Sequence, residues 1–306
     1  MTLPAPLGQR RVLAGIALLM LACLFFASND TAGKVLVVSG VPVVMAIWGR
    51  YVAQAVAISA VALPLRGRTL LRTRQPGFHL LRGLMLLGGS VFVFWSLLYM
   101  PVGELTAIIM ITPLLVTLLG ATVLKERVSP LRWLLVAGGF AGTLVIIRPG
   151  GSAFGWVMVL PLLQVAFSCG FQLLTSRMAR TEDPFTMHFY TSWVGVLATS
   201  LAVPLAWAPL ASPWLWLLMA GMGALSTVGH LLFIGAFQRA PASTLMPYVY
   251  VQIGFAMLAG WLVFGHVPDG WSMLGMALIA ACGMTGAWLS VQEMRARLAP
   301  VPARQA

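Results

Sequence analysis

The chain has 306 residues, of which 60% are hydrophobic and 8% charged, and its formal net charge is +12. A soluble domain carries roughly 25% charged residues, so this chain has too little charge to cover a water-facing surface, and lipid is the solvent its composition fits. The positive excess does not read as a nucleic-acid footprint. The basic residues sit in short clusters between long apolar runs and form no face interleaved with aromatics.

The N-terminal stretch Val12–Ala27, preceded by Arg10 and Arg11, resembles a signal peptide. Many further runs of the same kind follow, so it reads as an uncleaved first helix. A spanning helix needs about 20 apolar residues, and ten runs qualify in chain order: Val12–Val38, Val41–Leu65, Phe78–Met100, Val102–Leu124, Pro130–Ile147, Phe154–Met178, Pro184–Ala208, Pro213–Phe237, Pro241–Phe264 and Trp271–Val291. Backbone in lipid must bond internally, and none of the runs alternates as a barrel strand does, so all are expected to be helices. With both termini in the cytosol, 16 of the 19 Lys and Arg residues, Arg82 among them, fall in cytosolic segments. Lys34, Arg50 and Arg148 are the other three. That asymmetry is the positive-inside pattern.

A shift of 140 residues places Gly83 on Gly223, Gly89 on Gly229, Ser28 on Ser168 and Pro101 on Pro241. The expected fold is therefore an all-α membrane protein of ten transmembrane helices in two five-helix repeats, residues 14–148 and 154–290, joined at Pro149–Ser152. Five is odd, so the second repeat is inverted, the arrangement of secondary transporters that bind near the midplane.

The stretch Leu98-Tyr99-Met100-Pro101-Val102-Gly103, then Pro113, then Leu124-Lys125-Glu126-Arg127, then Gly138-Gly139 and Gly142, resembles the EamA-type transporters of the drug/metabolite transporter superfamily, over about residues 14–290. The second half departs from the motif, with Phe264-Gly265-His266-Val267-Pro268 at the Glu-Arg corner. Asn29-Asp30 with Lys34, and Gly229-His230, are similar to a subgroup that includes S-adenosylmethionine uptake; related branches carry riboflavin or export amino acids. The resemblance implies a multi-pass protein of the bacterial inner membrane that moves a small metabolite, as a monomer or homodimer.

Charge inside a membrane costs about 2.5–3.5 kcal/mol at mid-helix, so each such residue asks for a reason. Asp30 and Lys34 lie four apart on one face of the first span, as a structural ion pair or, for Asp30, a cation or proton site. Arg50 in the second span suits pairing with Asp30, a substrate carboxylate or a structural partner at the outer interface. His230 stands alone in the eighth span, a hydrogen-bonded core residue or a proton and substrate site. His188 reads as interfacial. Gln164 and Gln172 share a face of the sixth span, Tyr248 and Gln252 one of the ninth near Tyr250, and Trp95 and Tyr99 one of the third. The two aromatics suit stacking on a planar ligand or an interfacial belt. Pro113 and Pro247 interrupt the equivalent fourth and ninth spans, a pointer to a binding site. Small residues on the fifth and tenth spans suggest helices braced within their own repeat or a dimer contact. Cys23, Cys169 and Cys282 lack ligand spacing, so neither a metal nor another cofactor is expected. There is no phosphate-binding loop and no nucleophile–base pair. The residues thus favour a secondary transporter over an enzyme, with a small molecule, the lipid bilayer and protons as candidate partners.

Overall fold

The computed structural model describes residues 5–123, 130–148, 156–179, 181–210, 212–240, 245 and 248–298. Pro247, the Lys125–Arg127 corner and the Pro149–Ser152 joint lie outside them. The described residues form helices and no strands: α1 (Ala5–Val38), α2 (Val43–Arg66), α3 (Pro76–Tyr99), α4 (Val102–Ile109), α5 (Thr112–Val123), α6 (Pro130–Ile147), α7 (Val159–Met178), α8 (Pro184–Ala202), α9 (Pro213–Phe237), α10 (Val251–Phe264) and α11 (Gly270–Leu298). Six of them are long and apolar enough to cross a membrane and four shorter stretches are apolar as well, which makes this a multi-pass membrane protein.

Local chemistry starts and stops these elements where the chain needs them. Pro76, Pro184 and Pro213 occupy the first turns of α3, α8 and α9, where no N–H is missed. The Asp183 carboxylate accepts from the Phe185 and Thr186 amides and caps α8. The α10 helix ends at Gly265, which adopts a left-handed φ of 64° that an L side chain resists.

The fourth expected span is broken in two. Pro113 has no N–H to give the Ile109 carbonyl, and the Thr112 hydroxyl donates to that carbonyl instead at 2.6 Å. The chain turns at Met110 and Ile111 between α4 and α5. The ninth span is likewise not one continuous helix: α10 begins only at Val251, after a turn at Tyr250.

Packing crosses between the two halves of the chain. The α1 helix lies chiefly on α9, and α7 lies chiefly on α3; α2 packs on α8, and α4 on α10. The α6 and α11 helices pack on each other, not each within its own half as expected from their small residues. Gly142 and Gly275 meet there, and a Cβ on either would come within 3 Å of the other's carbonyl oxygen.

The ends of α6 and α11 are tied outside the spans by Arg148 and Asp269. The hydrogen bond from Arg148, helped by the Ser272 amide, holds the Asp269 carboxyl down at about 2. A depressed carboxylate stabilises above its ordinary pKa, and that contribution is lost as pH falls through the folded value. The tie should therefore stand at pH 4 and above and fail toward pH 2. Arg148→Gln should return the Asp269 titration toward the usual range near 3.9, read from its carboxyl carbon shift by NMR; an unmoved titration would refute the assignment.

Candidate functional site

A cavity of about 160 Å³ lies at the centre of the bundle, where α1, α2, α3, α4, α7, α9 and α10 meet. Six of the expected site residues line it: Asp30, Arg50, Gln164, Gln172, His230 and Gln252. Two glycines admit side chains to its wall. A Cβ at Gly89 would meet Gln164 Oε1 at 2.6 Å, and one at Gly229 would meet the Phe26 ring at 2.8 Å. These are the two positions that the 140-residue shift superposes.

One end of the cavity is polar. Arg50, 4% exposed, donates to the Ser90 hydroxyl at 2.5 Å and lies over the Tyr51 and Phe94 rings at 4.6 and 5.8 Å. It forms no ion pair with Asp30. Asp30 accepts from the Asn29 amide at 3.4 Å. Asn29 Oδ1, Gln164 Oε1 and Arg50 Nε are buried without a hydrogen-bond partner among the described residues. Buried polar groups ordinarily find partners, so this end is chemically unsatisfied.

The other end is aromatic and centres on His230. Its ring meets Phe26 at 5.0 Å and Phe171 at 5.9 Å, both edge-on, and Phe26 meets Phe233 at 5.9 Å. His230 Nδ1 lies 2.8 Å from the Ser226 carbonyl. A carbonyl only accepts, so Nδ1 carries the proton and the neutral ring's Nε2 is an acceptor.

Behind His230 lies polar machinery that the spacing pattern did not reveal. His188, expected at the interface, is fully buried and stacked on His230 at 5.3 Å, so His230 is not alone. Arg82, counted above as cytosolic, is fully buried as well. It donates to Thr175 Oγ1 at 2.9 Å, to the Met187 carbonyl at 3.1 Å and to Thr191 Oγ1 at 2.5 Å, and it lies over the Phe171 ring at 4.5 Å. No carboxylate among the described residues pairs with it. Gln54 donates to Ser192 and accepts from Ser226, both at 3.0 Å, joining α2, α8 and α9. One signal for Gln54 was available: it follows Arg50 by four residues and so shares its face.

The remaining expected residues sit outside the cavity. Lys34 turns away from Asp30 and donates to the Met100 carbonyl at 2.7 Å, where it meets the negative end of α3. Trp95 and Tyr99, 41% and 56% exposed, point outward, with Tyr99 edge-on to Trp156. Tyr248 is exposed too, because the turn at Tyr250 interrupts the helical phase that would align it with Gln252. Tyr250 is buried against Gly283. Pro113 opens α5 beside the break at Met110, and Met110 itself lines the cavity.

Discontinuous helices around a central cavity with unsatisfied polar groups are the mark of a transporter. The EamA-like transporter family matches residues 13–148 and 156–287, and the chain belongs to that family. It is 30% identical to a riboflavin transporter of Vibrio cholerae over 87% of this chain and 90% of that protein. It is 25% identical to an S-adenosylmethionine uptake transporter of Rickettsia bellii over 72% of this chain and 77% of that protein. A solved crystal structure, 21% identical, shares the fold with a TM-score of 0.61 over 95% of this chain and 99% of that one.

Proposed function

We propose that this protein is a secondary transporter of riboflavin in the bacterial inner membrane. In this reading ten transmembrane helices form two inverted repeats, residues 14–148 and 154–290, with both termini cytoplasmic, and the repeats rock about the central cavity to alternate access. The exchange of partners between halves, α1 on α9 and α7 on α3, supports the inverted repeat.

The two-ended cavity carries the substrate assignment. Along α1 Phe26 and Asp30 stand about 6 Å apart, and α7 likewise brings a polar residue, Gln164, and an aromatic one, Phe171, to the lining. A planar aromatic ring system with a hydroxylated tail matches both ends: the rings among Phe26, Phe171, Phe233 and His230, the polar groups toward Asp30, Arg50 and Gln164. S-adenosylmethionine fits less well, because Arg50 and Arg82 against Asp30 leave the interior with an excess positive charge, which disfavours a sulfonium cation. Asp30 is the carboxylate in the cavity lining, so coupling to protons, where accumulation requires it, is assigned to that residue.

Counterflow in proteoliposomes tests this, with labelled riboflavin, S-adenosylmethionine and an amino-acid panel. Saturable riboflavin exchange, inhibited by unlabelled riboflavin and not by S-adenosylmethionine, is expected. Exchange of S-adenosylmethionine without riboflavin would reassign the substrate, and exchange of none of the compounds by folded protein would overturn the reading.

A further inference from the structure

A second cavity, of about 800 Å³, lies between the α2–α3 connection and the turn before α8, well away from the central site. Its walls are fixed by hydrogen bonds. The Tyr190 hydroxyl donates to the Leu71 carbonyl at 2.9 Å, the Thr73 hydroxyl to Glu182 at 3.1 Å, and the Gln75 amide to Thr73 Oγ1 at 3.0 Å. Both acids of this cavity are committed. Glu182 accepts from Thr73 and lies 3.5 Å from His79 Nε2, while Asp183 caps α8 and pairs with Arg66 at 3.1 Å.

Arg72 and Arg74 line the same cavity and have no acidic partner among the described residues. At the end of α2 and in the connection that follows, Leu63, Leu65 and Leu71 are largely exposed, so the stretch that carries these cations carries bare apolar surface as well. An anion is required by the first and hydrocarbon by the second, and an amphiphile supplies both at once.

We infer that this cavity holds the headgroup of an anionic phospholipid, its phosphate oxygens against Arg72 and Arg74 and its chains along the three leucines. The guanidinium fork suits phosphate oxygens. Two arginines at a membrane surface favour an anionic over a zwitterionic headgroup on the order of tenfold or more.

The test uses the full chain in detergent, titrated with phosphatidylglycerol, phosphatidylcholine or inorganic phosphate, with retained adducts read by native mass spectrometry. Phosphatidylglycerol should be retained about tenfold over phosphatidylcholine, and the preference should vanish in the double variant Arg72→Gln/Arg74→Gln. Both positions are exposed, so the double variant should keep the wild-type unfolding temperature. Arg68→Gln, on the same segment but outside the cavity lining, should leave retention unchanged. Equal retention of the two lipids, an equal loss in Arg68→Gln, or displacement of phosphatidylglycerol by inorganic phosphate at matched concentration would each overturn the inference. The outcome does not depend on which substrate the central cavity takes.

Discussion

Arg50→Gln is expected to cut riboflavin uptake roughly 10- to 100-fold while the protein still reaches the membrane in normal amount. Arg50 is the cation in the lining of the central cavity, and its Nε has no partner among the described residues. A hydrogen bond to a charged group contributes about 1.5–3 kcal/mol, and every 1.4 kcal/mol is about tenfold in affinity. Asp30→Asn should also lose uptake, but with a different signature: if Asp30 carries the coupling proton, equilibrium exchange survives and pH-driven accumulation does not. Initial uptake rates in whole cells, beside counterflow in proteoliposomes across a pH series, separate the two. Wild-type uptake and an unchanged pH profile in both variants would remove these residues from the site.

The second large effect concerns stability. Gly223 of α9 faces α2, and a Cβ there would come 2.7 Å from the Gln54 nitrogen and 2.8 Å from the Ala53 carbonyl carbon. Backbone cannot step aside without moving its helix. Gly223→Ala should therefore push α9 off α2, at about 1–3 kcal/mol for overpacking, and loosen the Gln54–Ser226 bond that joins the same helices. Gly83, its counterpart under the 140-residue shift, faces the Val194 side chain at 2.7 Å instead. Gly83→Ala should thus destabilise less. Unfolding temperatures of the purified variants check the order; a larger fall for Gly83→Ala would contradict it.

Several expected residues reached the cavity because helical spacing is a reliable guide to shared faces. Gln164 and Gln172, eight apart, both line it. The same rule placed Trp95 and Tyr99 on one face correctly, yet that face looks outward. Periodicity says which side chains travel together and is silent on which side of the helix meets protein. For Tyr248 and Gln252 the rule failed at its premise, because the helix is interrupted between them.

The burial of Arg82 and of His188 was missed for a different reason. Each lies near the end of an apolar run, where a long or amphipathic side chain can reach the surface or turn inward. The choice depends on partners far away in the chain: Thr175 and Thr191 for Arg82, His230 for His188. Those partners belong to the other half of the chain in the first case and to another helix in the second.

By itself the sequence determined the solvent, the apolar helices and the break before Pro113, since each follows from local composition and from the missing proline N–H. Only the tertiary structure decided which buried charges meet, that α6 braces α11, and that an aromatic end and a polar end share one cavity. Those outcomes rest on contacts between helices distant in sequence, and no local pattern encodes them.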